Sequence, residues 1–265
     1  MTAPPLARSW RIYALEARYQ FLMVLREPAF AIPTLLFPLI FYLFFGVVMG
    51  GRGFSAAAPT YMLATYSVFG VMGPSLFGFG AGLAMERDSG VLLLKRTTPM
   101  PAAAYLLAKV GMAFAFGAAV VVGIFLVGAY GAGVMLYRWQ WFALSGVVLA
   151  GVIPFCALGL AVGAWSKSRA AVAITNLVFL PMAMLSGLWI PITMFPAALQ
   201  DFAHVLPAYH HAQLALKVIA MDGGQATALH VAVLAAQSLA FLIVAAVGFR
   251  RAESGAVSIR PGGMS

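Results

Sequence analysis

Six stretches of this sequence longer than 20 residues contain no Asp, Glu, Lys or Arg: residues 28–51, 53–85, 110–137, 139–166, 170–200 and 223–249. A helix crosses a hydrocarbon core of about 30 Å with roughly 20 apolar residues, and every one of these windows exceeds that. A charge at the centre of such a helix costs about 2.5 to 3.5 kcal/mol, so a chain with six charge-free windows is built for lipid. Only 9% of residues are charged and 63% are hydrophobic, too few polar side chains to cover a water-facing surface, which in soluble domains is about one-quarter charged. The reading is an all-α integral membrane protein. Its six transmembrane helices fall at about 29–50, 60–84, 107–130, 141–164, 170–190 and 229–249. The whole chain has 265 residues, which leaves no room for a large extramembrane domain.

The stretch Phe202 to Leu216 is charge-free but too short to span, and it carries Pro207 with His204, His210 and His211. It reads as short outer re-entrant or interfacial helices between spans 5 and 6. Adjacent histidines seldom serve one ion, so the expectation is no metal. The single cysteine, Cys156, lies in an apolar run and excludes an intrachain disulfide.

Basic residues orient the spans, because they accumulate on the cytoplasmic side. With six crossings, one face receives Arg8, Arg11, Arg18, Arg26, Arg87, Lys95, Arg96, Lys109, Lys167, Arg169, Arg250, Arg251 and Arg260, and the other only Arg52, Arg138 and Lys217. Both termini are therefore expected on the cytoplasmic side of the membrane. The net charge of +9 is accounted for by topology and anionic lipid, not by nucleic acid.

Residues 1–28 form an expected N-terminal interfacial helix ahead of the 29–250 membrane domain and a 251–265 cytoplasmic tail. At 100° per residue, Trp10, Tyr13, Ala14, Ala17, Phe21, Val24 and Leu25 share one stripe, with the arginines away from it. Leu15 and Leu22 fall on the far side and need cover from another helix or a partner.

Gradient-driven transporters place ionisable side chains inside the bundle. Here Glu16, Glu27, Glu86, Asp88, Asp201, Asp222 and Glu253 all lie outside the windows or at their edges. Nucleotide hydrolysis needs a phosphate loop ending in Gly-Lys-Ser or Gly-Lys-Thr, and no Gly-Lys pair occurs. The Gly-rich run Phe77-Gly78-Phe79-Gly80-Ala81-Gly82 sits in apolar sequence and reads as close helix packing. Uphill work would have to come from another polypeptide, and no cofactor is expected in this chain.

The longest basic loop reads Glu-Arg-Asp-Ser-Gly-Val-Leu-Leu-Leu-Lys-Arg-Thr-Thr-Pro-Met-Pro from Glu86 to Pro101. Asp88 and Ser89 can cap a short helix that Pro99 ends. This loop resembles that of the type 2 (ABC-2) ABC exporter permeases, in their daunorubicin-exporter-like branch. Leu180 to Leu199, with Pro181, Ser186-Gly187, Pro191 and Pro196, is similar to the series that closes the fifth span of that family. Leu206 precedes Pro207 where relatives often have Asn.

The resemblance implies a permease subunit of an ATP-binding-cassette exporter for a hydrophobic or amphipathic drug, lipid or lipid-linked product. It further implies two copies of a separate ABC ATPase that bind ATP and Mg, and a second permease copy or paralogue. Carried over to this sequence, the ATPase-coupling residues are Glu86, Arg87, Gly90, Thr98 and Pro99, with Arg18, Arg26 and Glu27 on the interfacial helix. Thr175, Asn176, Ser186 and Tyr66 are the polar candidates for a substrate path. Polysaccharide export, an ATPase-independent transporter or channel, and an assembly factor without transport remain as alternatives.

Overall fold

In the computed structural model, residues 6–50, 57–97 and 102–257 are described. Every regular element among them is helical: α1 Leu6–Leu25, α2 Pro28–Phe41, α3 Ala58–Phe79, α4 Ala81–Asp88, α5 Val91–Arg96, α6 Ala102–Leu126, α7 Arg138–Ala150, α8 Val152–Trp165, α9 Ser168–Leu185, α10 Ala197–Ala203, α11 Pro207–Val218 and α12 Thr227–Val257. Among the described residues, six stretches are long and apolar enough to cross a membrane: Pro28–Met49, Ala58–Asp88, Ala104–Gly131, Arg138–Trp165, Ser168–Leu185 and Thr227–Arg251. Four of the six are not uniform α-helices. The first and third finish in π-helical turns, Tyr42–Met49 and Val127–Gly131, while the second and fourth break at Gly80 and Gly151.

The second span is the hub. Its α3 is enclosed by α2, α6, α8, α9 and α11, and Tyr66, Phe69, Met72 and Leu76 are almost wholly buried. Glycines make this packing possible: a Cβ on Gly159 or Gly163 of α8 would stand 2.8 Å from the Leu76 carbonyl or 2.5 Å from that of Phe79. Backbones in this Gly-x-x-x-Gly seam approach as closely as small residues permit. The first, fifth and sixth spans stay mostly exposed, so their apolar faces are left for lipid or another chain.

The fifth span stops at Leu185, five residues short of the expected 190. Gly187 takes a left-handed φ of +78°, its N–H donates to the Met184 carbonyl, and the Leu188 N–H donates to that of Ala183. That is a Schellman stop, which glycine adopts without strain. Beyond it, α10 and α11 are both too short to cross, and α11 is buried from Pro207 to Ala212 against α3, α7 and α12.

The face bearing α1, α5 and the α8–α9 junction is called the basic face below. On the opposite face Lys217 Nζ lies 2.6 Å from Asp222 Oδ2, a hydrogen bond that holds the Asp222 carboxyl below its usual range. On the basic face α1 lies along α6, with Phe21 packed on Phe116 and Val24 buried. Leu15 is left exposed, as the sequence stripe requires, whereas Leu22 is half-buried.

Candidate functional site

Glu86, Arg87 and Asp88 occupy the last turn of α4. Consecutive helical residues project about 100° apart, so these three reach three different neighbours. Glu86 turns to α6, where Lys109 Nζ lies 2.8 Å from its Oε1 and the Tyr105 hydroxyl donates to its Oε2. Tyr105 and Lys109 are four residues apart and share one helix face. Lys109 is 2% exposed and Glu86 9%, and the ammonium also donates to the Gly78 carbonyl at 3.2 Å. Composition and charge placement make Glu86 and Lys109 surface charges, whereas in the structure they form a buried ion pair at the edge of the second and third spans.

Arg87 turns to α8. Its guanidinium donates to the carbonyls of Gly163 and Ala164 at 3.1 and 3.0 Å, and to that of Ser166. Asp88 turns to α9, accepting the Ser168 N–H at 2.6 Å. A cation at the carbonyl end of one helix and a carboxylate at the N–H end of the next both complement the helix dipoles. Asp88 was expected to cap the short helix in its own loop; it caps α9 instead, because the N-terminus of α9 is docked beside it. Ser89 donates back to the Glu86 carbonyl, and Gly90, at φ +79°, reverses the chain into α5. Thr98 and Pro99 lie outside the described residues. The outcome is a short helix, α5, mounted on a clamp that ties α4 to α6, α8 and α9 at once.

Above the clamp a cavity of about 760 Å³ opens between α2, α3, α4, α6 and α9. Phe37, Phe69, Phe77 and Phe179 supply much of its apolar wall. Its charged residues are Glu27, Glu86 and Lys109, all toward the basic face. Of the four path candidates, only Asn176 lines it, with its amide donating to the Val172 carbonyl at 3.1 Å. Thr175 is buried and donates to the Ala171 carbonyl. Tyr66 and Ser186 are buried beyond the far end of the cavity. Arg18, Arg26 and Glu27 are exposed on or just after α1, and Glu27 also borders the cavity.

The histidines diverge. His210 lies with Nδ1 2.9 Å from His230 Nδ1 and Nε2 2.8 Å from the His204 carbonyl. A carbonyl can only accept, so His210 Nε2 carries the proton. His211 points the other way, into the break of the fourth span. There Gly151 N–H bonds the Val148 carbonyl rather than that of Val147, and His211 Nε2–H fills the vacancy on Val147 at 2.9 Å. Sequence reasoning missed this wedge; a histidine beside a Gly-x-x-Pro break, Gly151 to Pro154, was the available signal.

Comparison with known proteins agrees with the geometry. Over 233 residues the chain is 30% identical to YvfS of Bacillus subtilis (strain 168), whose name describes a transport permease; the match covers 87% of this chain and 94% of that one. Residues 13–219 match the family described as ABC-2 type transporter, a range that runs from α1 through α11 and holds the clamp and the cavity. This multi-pass membrane protein with its clamped loop belongs to the ABC-2 type transporter family.

Proposed function

We propose that the chain is the permease half of an ATP-driven exporter. It works with a second permease copy or paralogue and with two ABC ATPase subunits that bind ATP and Mg. The basic face is cytoplasmic, both termini lie there, and the membrane is the bacterial inner membrane. Cargo is hydrophobic or amphipathic, received in the apolar cavity between α2, α3 and α9 with Asn176 in its wall. The single observation carrying this reading is the clamp. A partner pushing on α5 moves α4, and through Glu86, Arg87 and Asp88 it moves the ends of three further helices together.

Alternating access then follows from rigid-body rocking of the permease halves. Glu86 and Arg87 act as positioning residues, since both face inward; the surfaces offered to an ATPase are α5 and the exposed side of α1, with Arg18, Arg26, Leu15 and Tyr19. The absence of a phosphate loop in the sequence supports a separate motor. Lipid-linked products and drugs both suit the cavity wall.

The test is the transport-to-hydrolysis ratio of the complex purified with its ATPase. Arg87→Ala removes a fork that bonds three carbonyls, and should lower transport per ATP about tenfold, the equivalent of about 1.4 kcal/mol. Arg87→Lys, a point charge without the fork, should recover only part. An unchanged ratio in Arg87→Ala removes the clamp from coupling, and failure of any nucleotide-hydrolysing subunit to co-purify removes the motor.

A further inference from the structure

The face of α2 turned to the cavity carries Glu27, Phe30, Thr34 and Phe37, at the helical spacing of three, four and three residues, and all four belong to the cavity wall. Glu27 holds the N-cap position of α2, but its side chain makes no cap hydrogen bond. The backbone explains why. Pro28 has no N–H to offer, and the Phe30 and Ala31 N–H groups already donate to the Glu27 carbonyl at 3.0 and 2.9 Å. The carboxylate is left exposed in the wall, and among the described residues it enters no ion pair. The other charged wall residues, Glu86 and Lys109, compensate each other at 2.8 Å. Among the described residues, the uncompensated charge of this wall is therefore a single negative one. From Phe30 a run of rings leads on through the cavity: Phe30 meets Phe77 edge-on with centroids 6.4 Å apart, Phe77 meets Phe179 at 5.4 Å, and Phe179 stacks on Phe69 at 5.0 Å.

We infer that the cavity selects a lipophilic organic cation, an ammonium or phosphonium group on an apolar body, with its charge at Glu27 and its body against the rings. Aromatic faces carry the negative side of the ring quadrupole and attract cations, so the carboxylate and the phenylalanines favour the same sign of charge. A cavity of about 760 Å³ is in the size range that encloses a drug-sized molecule. An anionic amphiphile would need Lys109, which is 2% exposed and already bonded to Glu86 and to the Gly78 carbonyl. The Arg87 guanidinium is likewise committed, to three carbonyls of the α8 end. Family resemblance groups Glu27 with the ATPase-coupling residues; its place in the cavity wall assigns it to the cargo. This inference rests on the transport reading and narrows it, by naming the class of cargo and the residue that selects its charge.

The probe is radiolabelled tetraphenylphosphonium, a permanent cation, titrated onto the full chain in lipid nanodiscs with protein-free discs as background. Binding should saturate. Unlabelled tetraphenylphosphonium should displace the label at least about tenfold better than tetraphenylborate, which has the same shape and the opposite charge. Glu27→Gln should weaken binding about tenfold, and Glu27→Asp should recover part of the loss. Phe77→Leu should weaken it about two- to fivefold, the worth of one cation–π contact. Equal binding by folded Glu27→Gln overturns the inference, as does the absence of saturable binding above protein-free discs. Displacement by tetraphenylborate as good as by the cation also overturns it, and this comparison uses the wild type alone, so it stands whether or not a variant folds. The transport reading fails separately: a complex with its ATPase that moves no cargo on ATP hydrolysis sinks that reading while cation binding at Glu27 stands. ATP-driven movement of an anionic lipid that Glu27→Gln leaves unchanged sinks the charge selection alone.

Discussion

Glu86→Ala is expected to destabilise the protein by about 3 to 5 kcal/mol, the usual cost of removing one partner of a buried ion pair. Lys109, 2% exposed in the intact protein, would lose the carboxylate at 2.8 Å, and the Gly78 carbonyl at 3.2 Å and the Tyr105 ring 5.5 Å away are neutral groups that do not replace that charge. The Tyr105 hydroxyl would lose its acceptor in the same stroke. The double variant Glu86→Leu with Lys109→Met removes both charges and should recover most of the loss, since well-packed apolar replacements of buried pairs are often neutral. Melting in nanodiscs measures both, and a single variant within about 1 kcal/mol of wild type would show that the pair is solvated and its charges independent. The double variant then isolates function: folded, but with α4 released from α6, it should transport less per ATP than the wild type.

Gly151→Ala should be comparably severe, for steric reasons. A Cβ there would stand 1.9 Å from His211 Cε1, 2.4 Å from Nδ1 and 2.6 Å from Nε2, so no small shift of a flexible chain end relieves it. His211 would have to withdraw, which breaks its bond to the Val147 carbonyl and leaves that group unbonded inside the fourth span. Overpacking and an orphaned carbonyl together cost about 3 kcal/mol or more. His211→Ala alone should cost about 2 kcal/mol, and adding it to Gly151→Ala should rescue rather than worsen the protein. Such rescue is the non-additivity expected of residues in contact. If the two losses simply add, the wedge at the break is not what holds α11 against the fourth span.

Much of this was readable beforehand. The six charge-free windows locate the six spans because a charge in hydrocarbon is too costly to occur by accident. The run from Glu86 to Gly90 marks the short helix in the loop, and Pro181 with Ser186-Gly187 marks the end of the fifth span. Less legible were side-chain directions. Glu86 reads as a loop charge, and Lys109 as one more basic residue of that face, until α6 is laid against α4. Asp88 reads as a local cap although its partner is 80 residues away, at Ser168. Tyr66 and Ser186 read as candidates for the path, and the structure places them at its far end, beyond Phe69, while Thr175 turns to its own helix.

The division follows from the solvent. Hydrocarbon imposes its demand on each helix separately, so length, apolarity and the placement of charge along the chain suffice to specify a six-span protein and the loop that faces a partner. Which buried polar groups meet depends on how the helices rotate and where they break, at Gly80 and Gly151. Those rotations are set by contacts between residues tens of positions apart. The ion pair beneath the cavity and the α11 histidine wedged into the break of the fourth span exist only once α3, α6, α8, α9 and α11 have packed.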